Sequence, residues 1–269
     1  MDPKACSELI SSVRPNIIYI CAAYTWVDGC EMNEQKSFNI NSFAPGRIAE
    51  EAQKLGVKVV YFSSDYIFDG TNGPYQESCL PNPINIYGRS KYEGEKLVLS
   101  ACPEALILRT TIVYGPEEQG KNFIYQLVDS LQKGKEFLCA KDQIGTPTYN
   151  RDLVRMAIGL VEANAKGIYN CVGEEAFDRY SFACKCAMLL GYDVKLIKAV
   201  RTSEIVWEGK AKRGLKLGLN MNKTLKFLEK KYHPNSLQKN LEDWMKRQRG
   251  SFLRSGATSK QSAIQKDLE

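Results

Sequence analysis

Residues 61–96 read YFSSDYIFDGTNGPYQESCLPNPINIYGRSKYEGEK, and this stretch decides the fold. An apolar β-rich run (Val57–Ser63) ends in a Ser pair, Asp65 and Tyr66. A Gly/Pro loop follows, and then Tyr87 and Lys91, four residues apart where a helical pattern (Arg89–Ala101) begins. A strand that exits into polar residues and returns through a helix is half of a parallel crossover unit.

The same alternation runs outward in both directions. Helices are expected at Lys4–Val13 and Glu34–Leu55, the latter kinked at Pro45–Gly46, and strands at Asn16–Ala23 and Ala105–Tyr114. Each strand is apolar throughout, as in a parallel sheet covered on both faces. The fold class is therefore α/β, a doubly wound parallel sheet. Ligands in such sheets sit beyond the C-terminal strand ends. That makes Cys21–Asp28, Ser63–Gly70 and Thr110–Gly115 the expected walls of a site. Downstream, helices are expected at Asn122–Gly134, Arg151–Ala163, Arg179–Leu190, Lys223–Lys231 and Leu237–Arg249. Short strands are expected at Glu136–Ala140 and Gly167–Val172, with a turn at Gly145–Thr148.

Composition excludes several classes. The chain has 269 residues, enough for a sizeable core, and a net charge of +6. Much of the positive excess lies past residue 208 and is not interleaved with aromatics, which argues against nucleic-acid binding. His233 is the only histidine, which disfavours a His-based triad and excludes a Cys₂His₂ zinc site; no metal is expected. The nine cysteines include no CxxC pair and read as reduced thiols of a cytoplasmic protein. No apolar run reaches the ~18 residues of a membrane span, and Met1–Ile10 has no signal-peptide pattern.

Tyr87 and Lys91 at i and i+4 share a helix face. A neighbouring ammonium stabilises a phenolate and lowers the tyrosine pKa, so the pair can protonate an alkoxide formed by hydride attack on a ketone. Lys91 can also hold a ribose hydroxyl, and Ser64 can hydrogen-bond the carbonyl oxygen as charge develops. A YxxxK spacing alone is weak; the Ser–Ser–Asp strand exit upstream strengthens it.

SSDYIFDG (Ser63–Gly70) with YGRSKYEGEK (Tyr87–Lys96) resembles the extended short-chain dehydrogenase/reductases, most closely the dTDP-4-dehydrorhamnose reductase (RmlD-like) branch. AAYTWVDGCE (Ala22–Glu31), LILRTTIVYG (Leu106–Gly115), KNF (Lys121–Phe123), DQIGTPTY (Asp142–Tyr149), GIYNCVG (Gly167–Gly173) and AKR (Ala211–Arg213) extend the likeness over about residues 2–245.

The resemblance implies reduction of a nucleotide-activated 4-keto-6-deoxyhexose by NADPH or NADH. Ser64, Tyr87 and Lys91 would be catalytic. Ala22, Ala23, Tyr24 and Ser63 would join Tyr87 and Lys91 around the cofactor. Asp65, Ile112, Asn122, Gln143 and Arg213 would join Ser64 around the substrate. The competing readings are strand packing for Ala22 and Ala23, turn hydrogen bonding for Asp65 and a solvated charge for Arg213.

Two departures stand out. RTTIVYG places Ile112 where the reductases have a Trp that packs on the deoxysugar. This brings in an alternative: a non-catalytic regulatory subunit resembling methionine adenosyltransferase subunit beta, with a methionine adenosyltransferase catalytic subunit as partner rather than a homodimer. DQIGTPTY favours the reductases. The family's GxxGxxG loop, which cradles the cofactor pyrophosphate, also does not occur here. The expectation is a Rossmann-like domain (1–145) lacking its first β-α-β unit, about forty-odd residues, with an exposed sheet edge. A substrate-binding region (146–249) and a disordered tail (250–269) complete the division. The smaller α/β unit would be drawn mainly from Pro116–Ala140 and Gly167–Arg249.

Overall fold

A computed structural model describes residues 3–205 and 211–254 of the chain. Helix α1 (Pro3–Val13) leads into strand β1 (Ile17–Ile20). Helices α2 (Val27–Met32), α3 (Glu34–Phe38) and α4 (Ala44–Lys54) follow, the last two joined by a π-helical turn (Asn39–Phe43). Strand β2 (Lys58–Ser64) passes through a 3₁₀ turn (Asp65–Ile67) and a long loop to α5 (Ile86–Ala101). Then come β3 (Leu106–Thr110), β4 (Val113–Tyr114), α6 (Phe123–Gln132), β5 (Phe137–Ala140), β6 (Ile144–Gly145) and β7 (Thr148–Tyr149). The remaining elements are α7 (Asn150–Glu162), β8 (Gly167–Asn170), β9 (Phe177–Asp178), α8 (Arg179–Leu189), β10 (Ile197–Val200), α9 (Asn222–Phe227) and α10 (Leu237–Arg254).

The main sheet has the order β1-β2-β3-β8, and every pair in it is parallel. Its apolar strands are covered twice. Val59, Tyr61 and Ile107 face Ala49 and Ala52 of α4 and Val98 of α5. Val60, Leu106 and Leu108 face Leu153, Met156 and Leu160 of α7. This is the doubly wound class, with β1 at one edge of the sheet. A second unit is built on the parallel pair β5–β10 and packs α6, α8 and α10 around Phe182, Leu127 and Trp244. Strand β8, numerically inside the 146–249 region, is a member of the main sheet.

Some expected boundaries shift for identifiable reasons. Helix α5 begins at Ile86 rather than Arg89, because the Asn85 side chain caps it by accepting from the Gly88 amide at 2.8 Å. Tyr87 therefore lies in the helix's first turn. Pro45 causes no break within α4; it occupies that helix's first turn, where no N–H partner is lost. The run Ala105–Tyr114 is not one strand. It breaks at Ile112, whose φ of 42° is left-handed, and then restarts as β4 against β7. Helix α10 extends to Arg254, into the segment expected to be a tail; the rest of that segment, 255–269, lies outside the described residues. Strand β10 was not expected from its alternating run IKAV.

Candidate functional site

The C-terminal end of β2 and the first turn of α5 meet because Gly88 allows it. A Cβ there would lie 2.0 Å from the Tyr66 carbonyl oxygen. That contact sets Tyr87 beside the 3₁₀ turn, and its ring meets Tyr66 edge-on, with centroids 5.6 Å apart. Ser64 ends β2, is buried, and hydrogen-bonds with Tyr87. Its hydroxyl also donates to Asp65 Oδ1 at 3.2 Å and accepts from the Tyr66 amide at 3.3 Å.

Asp65 is buried. Burial pushes its pKa up to about 6, while hydrogen bonds from Thr111, Ser64 and the Gly218 amide, together with the charge of Arg179, oppose the rise. Its contacts thus go beyond a local turn and draw β2, the end of β3 and residue 218 together.

Lys91 is 2% exposed, with its ammonium 4.1 Å from the Tyr61 ring centroid. Burial lowers its pKa to about 7, against a smaller opposing effect from Glu95. The phenol of Tyr87 is pushed up, chiefly by burial, despite its hydrogen bond with Ser64; Asp65 and Tyr66 add to the rise. This corrects the expected drop. A lysine whose own charge is disfavoured by burial, and which is seated on Tyr61, does not dominate the field at Tyr87.

Around β1, Ala22 is exposed and Ala23 and Tyr24 are half-buried, so the first two residues leave open space beside the strand exit. Tyr24 is held by a residue that sequence reading missed. The Asn41 side chain accepts from the Tyr24 amide at 2.8 Å, donates to the Tyr24 carbonyl at 3.0 Å, and donates to Ser90 Oγ of α5 at 3.0 Å. Asn41 lies in the π-helical turn, and its backbone carbonyl accepts from the Tyr61 hydroxyl at 2.7 Å. One residue thereby ties the β1 exit to the helix that carries Tyr87 and Lys91. Ser63 Oγ and Thr110 Oγ1, at the ends of β2 and β3, are buried without hydrogen-bond partners. Two orphaned hydroxyls at the strand ends are groups that a bound ligand's polar atoms can satisfy.

The remaining expected residues divide. Arg213 is not a solvated charge: it is 7% exposed in its side chain, 2.6 Å from Asp28 Oδ2, and donates to the Ala211 carbonyl. Its charge, like that of Arg179, is felt by the Tyr66 phenol. Gln143 is buried, accepts from Arg179 Nε at 3.1 Å and donates to Thr202 Oγ1 at 3.1 Å. Arg179, read from the sequence only as a helix start, thus connects Gln143 with Asp65. Ile112 adjoins Gly145, where a Cβ would meet its Cδ1 at 2.6 Å. Asn122 caps α6 by accepting from the Ile124 amide and donates to the Gly115 carbonyl at 2.8 Å. Asp28 and Thr111 carried no spacing signal of their own, and packing between distant segments brings them to the site.

The family described as RmlD substrate binding domain matches residues 1–249. The chain belongs to this family. Methionine adenosyltransferase 2 subunit beta of Danio rerio is 35% identical over 195 residues, covering 70% of this chain and 59% of that protein. The dTDP-4-dehydrorhamnose reductase of Aggregatibacter actinomycetemcomitans is 34% identical over 210 residues, covering 73% and 70%. The crystal structure of dTDP-4-dehydrorhamnose reductase from Bacillus anthracis, in complex with NADP, superposes with a TM-score of 0.84 at 30% identity, covering 91% of this chain and 85% of that one. The chain thus spans about three fifths of the zebrafish subunit's length. Among the described residues no helix is long and apolar enough to cross a membrane.

Proposed function

We propose that the chain is the reductase core of an NAD(P)H-dependent enzyme acting on a nucleotide-activated 4-keto-6-deoxyhexose, in the manner of a dTDP-4-dehydrorhamnose reductase. The observation that carries the reading is the hydrogen-bonded pair Ser64–Tyr87, with Lys91 one turn further along the same helix. The reductase from Aggregatibacter and the NADP-bound structure from Bacillus support it.

Bound NAD(P)H supplies the hydride. Lys91 and Tyr87 would hold the nicotinamide ribose; Ala22 and Ala23 leave room at the β1 exit, and Ser63 Oγ offers an unsatisfied hydroxyl. These residues fit the nicotinamide half of the cofactor; the sequence contains no GxxGxxG loop for the pyrophosphate. Ser64 would donate to the C4 carbonyl oxygen as negative charge develops, exchanging its bond to Asp65 for one to the substrate. Tyr87, kept protonated by burial, would deliver its proton to that oxygen. Arg179, held by Gln143, would face the anionic part of the nucleotide-sugar, and Arg213, pinned by Asp28, would complete the wall. Ile112 would border the sugar with an aliphatic surface.

The protein should oxidise NADPH when given dTDP-4-dehydrorhamnose. No turnover with any nucleotide 4-keto-6-deoxysugar sinks the reading. Ile112 in place of a Trp and the 35% identity to methionine adenosyltransferase 2 subunit beta favour a second one, a binding subunit for a methionine adenosyltransferase. Stable co-purification with that enzyme, without ketosugar reduction, is the result that would select it; a homodimer accords with the reductase reading.

A further inference from the structure

A cavity of about 680 Å³ lies between α7 and α10, and none of the residues proposed for catalysis or substrate binding lines it. Its charges do not balance. Arg151, Arg155, Lys239 and Arg247 face two carboxylates, Asp152 and Asp243.

Both carboxylates are already engaged by the protein. Asp152, 1% exposed, accepts from the Asn235 amide at 2.9 Å, Asn235 Nδ2 at 3.0 Å and Asn240 Nδ2 at 2.8 Å, and lies 2.9 Å from Arg155 Nη2. Asp243 accepts from the Tyr149 hydroxyl at 2.6 Å and from Arg247 Nε at 2.9 Å, with Arg151 Nε at 3.5 Å. Lys239 forms no ion pair with a carboxylate among the described residues. One polar atom of a lining residue is also buried without a partner, the donor Arg155 Nε. Buried polar groups are ordinarily satisfied, and an orphaned donor on a cation favours a negatively charged oxygen. Beside these groups, Val154 and Ile158 stand one turn apart on α7, 54% and 40% exposed.

We propose that this cavity is a second ligand site, for a small organic anion: a phosphate monoester or a carboxylate carried on a short apolar body. The anionic head pairs with Arg155 Nε and Lys239. The body lies on Val154 and Ile158. The volume is within the range of roughly 300–1,000 Å³ usual for small-molecule pockets.

The test is a titration of the ¹⁵N-labelled 269-residue chain, followed by NMR, with phenyl phosphate, benzoate and uncharged phenol. Phenyl phosphate or benzoate should shift the Arg155 Nε–H resonance and the amides of residues 150–158, and phenol should not. The tighter of the two anions identifies the preferred head group. Lys239→Gln, at an exposed position, should fold normally and bind that anion at least fivefold more weakly. Absence of an anion-dependent shift at Arg155 Nε, equal shifts with phenol, or unchanged affinity in Lys239→Gln would each overturn the proposal.

Discussion

The ammonium of Lys91 lies 4.1 Å from the centre of the Tyr61 ring, on a face of the sheet closed by α4 and α5. A cation over an aromatic face is attracted by the ring quadrupole, but here burial outweighs that attraction and lowers the lysine's pKa to about 7. The unfolded chain holds this proton up to pH 10.5, the ordinary value, and the folded chain only to about 7. Between those limits the unfolded state binds more protons, so stability rises with pH, and it is lost as pH falls through 7.

Comparing wild type with Lys91→Met by urea unfolding should show this. The stability of the wild type relative to the variant should climb from pH 7 towards 10.5, by on the order of 5 kcal/mol in total. A flat difference would mean that Lys91 is not desolvated.

Tyr87→Phe should keep the fold, because the ring's packing on Tyr66 needs no hydroxyl. Turnover should fall about 10²–10⁴-fold, the usual range for loss of a positioned proton donor. Ser64→Ala should lower turnover by about 10²–10³-fold. Steady-state kinetics with saturating NADPH would measure both.

Asn41→Leu removes three hydrogen bonds that join the Tyr24 backbone to α5 through Ser90. Losing partners for groups in this buried network should cost about 2–4 kcal/mol. Amide exchange should rise at Tyr24, while β5 and β10 in the second unit keep their protection.

Arg213→Gln strands the buried carboxylate of Asp28, now 2.6 Å from the guanidinium. Thermal or urea unfolding should show a loss of about 3–5 kcal/mol. Adding Asp28→Asn should recover part of it, because the remaining groups are then neutral.

The sheet was legible because its strands are short apolar runs with helices between them, and nothing about β2 or β3 required knowledge of their neighbours. The Ser64–Tyr87–Lys91 set was legible for a related reason: its members lie on one strand–loop–helix unit at fixed spacing. Arg179 and Asp28 were not, since their partners Gln143 and Arg213 are 36 and 185 residues away. The lowered Lys91 pKa and the raised Tyr87 pKa also escaped. Spacing places an ammonium near a phenol, whereas burial decides what each group's proton does. Ile112 was singled out for the flat surface it lacks, while its left-handed backbone emerged only when β4 was found paired with β7.

The most direct test of the central claim is the fate of the hydride. The protein should be incubated with dTDP-4-dehydrorhamnose and NADPH deuterated at nicotinamide C4, and the sugar product examined by NMR and mass spectrometry. Deuterium at C4 of the sugar, with its rate of appearance sharply reduced in Tyr87→Phe, is the predicted result. Deuterium at C4 formed equally fast by Tyr87→Phe, or no labelled sugar at all, would contradict the account.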